Sequence, residues 1–119
     1  MNRTQLADAI LKGKQTEGVE ESQTAYVTAW QTRGICLACA LGCALIGKFD
    51  GDYLEAERVF RAKTNKALNQ IPVQVIFANI LEISTDLAVE VEFRHLNNQS
   101  IEDIAAWLKS SEETEVKTI

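Results

Sequence analysis

Gly34-Ile35-Cys36-Leu37-Ala38-Cys39-Ala40-Leu41-Gly42-Cys43-Ala44-Leu45-Ile46-Gly47 is the long apolar run of the chain, bounded by Arg33 and Lys48, and it holds all three cysteines. Read as a helix from Ile35 to Gly47, at about 100° per residue, it turns apolar side chains in every direction. A helix that is apolar all round is a buried one, so the run predicts a central strut with other elements packed about it. Gly34, Ala38 and Gly42 recur every four residues on a second face, with Gly47 just beyond. Such small residues let another backbone approach closely, from the same chain or from a second subunit.

The same run supports a chemical alternative. Cys36, Cys39 and Cys43 are spaced i, i+3, i+7, which on one helix places the thiols within an arc of about 60°. Three sulfurs on one stripe, with His95 as a fourth ligand, are a donor set for zinc or an iron–sulfur cluster. The flanking Ile, Leu and Ala oppose this, because apolar surroundings desolvate a thiolate and raise its pKa. Core packing is therefore the expectation, with a metal- or thiol-dependent protein as the alternative. A nucleophilic Cys–His pair needs an oriented base about 3 Å away, and no neighbour in the sequence supplies one.

With 119 residues the chain has room for one domain over residues 1–119. One proline and six glycines suit long helices better than a many-stranded sandwich. The net charge of −5 argues against nucleic acid as a partner. The nearest basic cluster, Arg58, Arg61, Lys63 and Lys66, is interrupted by Glu55 and Glu57 and reads as a solvated helix face. Met1-Asn2-Arg3-Thr4-Gln5 has no apolar stretch of the signal-peptide type, and the cysteine run is shorter than the roughly 20 apolar residues of a membrane span. An odd number of clustered cysteines points to a reducing compartment, the cytoplasm, with no membrane association.

Along the chain, Thr4 is a candidate N-cap for a first helix carrying Leu6, Ala7, Ile10 and Leu11, with Gly13 closing it. Residues 14–23 read as a loop. Residues 25–30 alternate and favour a short strand or a helical turn. Asp52 caps a charged helix with Glu55 as its capping-box partner, and Leu54, Val59, Phe60 and Leu68 form a weak apolar face. Pro72 opens the next segment, whose Val73, Ile76, Phe77, Ile80 and Leu81 match helical spacing, although a strand over residues 73–81 stays open. Ser84 or Thr85 caps a helix with Leu87, Ala88, Val91 and His95 inward. Ser100 caps the last helix, with Asp103 as its partner and Ile101, Ile104, Ala105 and Leu108 buried. Residues 112–119 are polar and read as a frayed tail.

Other candidate chemistry is sparse. His95, the sole histidine, reads as a structural imidazole bonded to a carbonyl. Asp50 and Asp52 flank Gly51 without the further oxygens of a calcium loop, so turn and cap roles suffice. Glu82, Asp86 and Glu90, at i, i+4 and i+8, would share a helix face with Glu92 nearby, and such a stripe can meet a basic partner or a cation.

Leu6-Ala7-Asp8-Ala9-Ile10 with Gly13, Cys39-Ala40-Leu41-Gly42-Cys43-Ala44, His95-Leu96-Asn97-Asn98 and Ser100–Leu108 together resemble a family of small uncharacterised bacterial proteins. Its members carry a "CALGAA" segment and end in "HLND…REQIADWL". Here Cys43 replaces an alanine, Asn98 replaces the aspartate, and the tryptophan before the last helix is missing. The resemblance implies no activity. It implies that the cysteine run and the last two helices belong to one compact unit.

These observations predict a mainly α domain of about five helices around a central buried helix, with a short strand or hairpin near residues 25–30. The expected function is non-enzymatic: a small interaction or accessory protein, a homodimer or the partner of another protein. No catalytic residue, cofactor or metal site is assigned.

Overall fold

In a computed structural model, which describes residues 1–30, 33–67 and 70–118, the apolar run divides at Cys39. Its first part is strand β3 (Ile35–Ala38) and its second part is helix α2 (Ala40–Lys48). The expectation of one helix from Ile35 to Gly47 is thus corrected. Gly34 turns at φ +65°, and Ile35–Ala38 then alternates partly buried with buried, the period-two pattern of a strand. Its backbone groups are committed on both sides to neighbouring strands. Cys39 is extended and caps the helix, its Sγ accepting from the Gly42 N–H at 3.4 Å.

Strand β3 is the middle of a three-stranded sheet of order β1-β3-β2. Strand β1 (Val19–Glu21) pairs parallel to it, with Val19 opposite Cys36 and Glu21 opposite Ala38. Strand β2 (Val27–Trp30) pairs antiparallel, with Val27 opposite Ala38 and Trp30 opposite Ile35. So residues 27–30 resolve as strand, while β1 falls inside the segment expected to be a loop. The Ala29 N–H donates to Glu57 Oε2 at 2.5 Å, which satisfies one donor of this edge strand.

Helix α2 is the centre of the domain. Every residue from Ala40 to Gly47 is buried, and α2 touches four other helices and β3. Its closest neighbour is α1 (Arg3–Gln15), capped by Asn2 rather than Thr4 in a reciprocal box with Gln5. Gly13 does not end that helix but lies inside it. A Cβ on Gly13 would sit 1.8 Å from the Cys43 carbonyl oxygen, and one on Gly47 would sit 2.0 Å from that of Ala9. The two pairs run in opposite order along the chain, so α1 and α2 are antiparallel, with Ala9-x3-Gly13 facing Cys43-x3-Gly47. Where side chains are this small, helix backbones meet directly, and the glycine hydrogens point at carbonyls in the manner of weak Cα–H···O contacts.

Around this pair sit α3 (Tyr53–Ala67), α4 (Val73–Leu81), α5 (Thr85–Leu96) and α6 (Ile101–Thr118). Asp52 accepts from the Glu55 N–H at 3.1 Å, Ser84 from Leu87 at 3.1 Å and Ser100 from Asp103 at 3.0 Å. These are N-caps at the starts of α3, α5 and α6. Glu55 does not complete its box, because its carboxylate pairs with Arg58. Pro72 is the N-cap of α4, and residues 73–81 are helix, with Ile76, Phe77, Ile80 and Leu81 buried. Phe60 and Phe77 stack at 4.8 Å, with Tyr26 beside both. Leu68 and Ile119 lie outside the described residues.

The protein is therefore mainly α, six helices among the described residues with one small sheet, around a central buried helix one strand shorter than expected. No helix among the described residues is long and apolar enough to cross a membrane.

Candidate functional site

The three thiols do not share a helix face. Cys36 lies on β3, Cys39 caps α2, and only Cys43 is within the helix. All three are buried and free. Burial pushes Cys36 and Cys39 up to about 11 and Cys43 to about 12. At Cys39 two effects oppose each other: backbone N–H groups at the helix start favour the thiolate, and desolvation disfavours it. Desolvation wins, so the thiols are protonated near neutral pH and act as small apolar side chains. Among the described residues, no group of three or more histidines, cysteines or carboxylates is arranged to hold a metal ion.

His95 is a buried polar side chain of the core, 1% exposed. It arrives from the last turn of α5 and binds the start of α2, its Nδ1 accepting from the Ala40 N–H at 3.3 Å. A nitrogen that accepts carries no proton, so the proton sits on Nε2 and is donated to Glu21 Oε2 at 2.9 Å. The partners are a backbone N–H and a carboxylate, where the sequence suggested a carbonyl. Glu21 in turn lies 3.7 Å from Lys14 Nζ, which also bonds Glu102 at 2.5 Å. That bond holds Lys14 above and Glu102 below its ordinary pKa. The chain of contacts ties α1, β1, α2, α5 and α6 together. Since Nδ1 is occupied by a backbone donor, the imidazole does not serve as base to a thiol.

The predicted acidic stripe is broken. Glu82 is the left-handed C-cap of α4 at φ +58°, so it does not continue the face of Asp86 and Glu90. Glu90 pairs with Arg94 at 3.0 Å, and Glu92 accepts from Gln74 at 2.8 Å. In the basic cluster, Arg58 and Arg61 are paired with Glu55 and Glu57 on their own helix. Lys63 and Lys66 line an open groove of about 200 Å³ with Ile71, Val75 and Ile76. Asp50 meets Lys12 at 2.5 Å, a turn role as expected, and that pairing holds its carboxyl below the usual range.

The surface feature that sequence reasoning missed is the outer side of α5. Ala88, Val91 and His95 are buried, yet Val89, Phe93 and Leu96 point outward, 48%, 61% and 48% exposed. They fall at i, i+4 and i+7, one continuous strip. The signal was present in residues 87–96, which hold more apolar side chains than one helix face accommodates. Glu21, by contrast, gave no signal in a short polar segment.

No family model, curated protein or solved structure matches this chain.

Proposed function

We propose that this chain is a non-enzymatic protein-interaction module of the cytoplasm, docking through the outer face of α5. The observation that carries the proposal is Phe93, among the described residues the most exposed of the large apolar side chains, set between Val89 and Leu96 on a helix whose other face already fills the core. A helix apolar on both sides satisfies one side within the domain and leaves the other for a partner. Three buried free thiols suit a reducing compartment. The likeness to the "CALGAA" family is part of the same proposal. Two segments that carry it meet where Ala40 donates to His95.

Site-specific photo-crosslinking tests this role. With p-benzoylphenylalanine in place of Phe93, irradiation in the host cell should yield a discrete adduct that is lost on Leu96→Glu. Adducts that are absent, or indifferent to Leu96→Glu, would sink the docking role.

A further inference from the structure

The apolar strip on α5 is flanked by carboxylates on both sides. On a helical wheel Val89, Phe93 and Leu96 fall within about 60° of arc, with Asp86 and Glu90 following on one side and Glu92 on the other. Arg94 is already engaged on the Glu90 flank. Its Nε is 3.0 Å from Glu90, and its guanidinium lies 3.8 Å over the Trp107 ring of α6. His95 is on the opposite, buried face.

We infer that the occupant of this face is a basic amphipathic helix of another protein, with apolar anchors one turn apart and lysine or arginine flanking them. The inference rests on the docking role proposed above and names its partner chemistry. The strip is about two helical turns long, a length that one amphipathic helix covers by ridge-and-groove packing. Carboxylates on both flanks steer and orient cationic side chains, and they penalise anionic ones. A second copy is the weaker occupant. Two-fold pairing would set Asp86, Glu90 and Glu92 against the same three carboxylates, in a chain already at −5.

Calorimetric titration of the full chain provides the test. The probe is a synthetic helical peptide with leucine at i, i+3, i+4 and i+7 and lysine elsewhere, and the counter-probe has glutamate for every lysine. The lysine peptide should bind with an affinity that falls as salt is raised, and the glutamate peptide should not bind. Phe93→Ser should weaken binding on the order of tenfold. Asp86→Asn with Glu90→Gln and Glu92→Gln should weaken it by a similar factor and flatten the salt dependence. Equal binding of both peptides, or no response to the triple substitution, overturns the partner chemistry while leaving docking intact if Phe93→Ser still acts. Binding indifferent to Phe93→Ser overturns both. A dimer by sedimentation that dissociates on Phe93→Ser overturns the basic partner in favour of a second copy. Circular dichroism confirms that each variant is folded.

Discussion

Gly13 of α1 faces the carbonyl oxygen of Cys43 on α2 so closely that a methyl group at position 13 would lie 1.8 Å from it. Gly13→Ala should therefore destabilise the protein by about 3 kcal/mol, although alanine is the better helix former by about 1 kcal/mol. The obstacle is backbone, which cannot swing aside. Gly34→Ala is the control: it has φ +65°, but a Cβ there would meet nothing within 4 Å among the described residues, so the left-handed backbone is what is penalised, by about 1 kcal/mol. Urea melts of the two variants should differ in that order. A neutral Gly13→Ala would mean that α1 and α2 are further apart.

Alkaline pH should unfold this protein through its thiols. Cys36, Cys39 and Cys43 are raised in the fold to about 11, 11 and 12 from an ordinary value of 9.0. Above pH 9 the unfolded chain releases these protons and the native state does not. The thiols' contribution to stability is thus complete below pH 9 and is lost progressively as pH rises towards 11–12. Each proton contributes at most about 1.4 kcal/mol per pH unit to the slope. Stability measured between pH 8 and 10 should fall, and Cys43→Ala should fall less steeply.

His95 and Glu21 should differ in their importance. His95→Leu leaves the Ala40 N–H unpaired inside the core, at a penalty of about 3 kcal/mol. Glu21→Gln keeps an oxygen to accept from Nε2 and should lose about 1 kcal/mol. Thermal unfolding of both variants reads the difference, and equal losses would contradict the hydrogen-bond assignment.

The two faces of α5 should respond unequally to the same change. Phe93→Ser, on the outer face, should alter stability by no more than about 0.5 kcal/mol. Val91→Ser, fully buried, should lose about 3 kcal/mol through lost packing and an inward hydroxyl. Denaturant midpoints settle this directly, and a large loss at Phe93 would mean that the ring is buried.

Much of this fold is legible in the sequence, because it rests on local rules. Ser84, Ser100 and Asp52 cap helices for the reason that their side chains reach orphan N–H groups, and the spacing of Ile76, Phe77, Ile80 and Leu81 follows helical geometry. The split of the apolar run is not local. Ile35-Cys36-Leu37-Ala38 becomes strand because Val19–Glu21 and Val27–Trp30 lie on either side of it, and neither partner is evident from the run itself. Gly13 shows the same limit: its position near a helix end suggested a cap, whereas its real constraint is Cys43, thirty residues away. The thiol triad failed as geometry once Cys36 moved to the sheet. The outer face of α5 was within reach, since Val89, Phe93 and Leu96 are one turn apart; reading only the inner stripe hid it.

Docking of a basic amphipathic helix on α5 is tested most directly by nuclear magnetic resonance titration of the isotope-labelled full chain with the leucine–lysine peptide. Shifts confined to Val89, Phe93, Leu96 and the flanking Asp86, Glu90 and Glu92 are the predicted result. Shifts centred on the groove of Lys63, Ile71 and Val75, or no shifts at all, would contradict it.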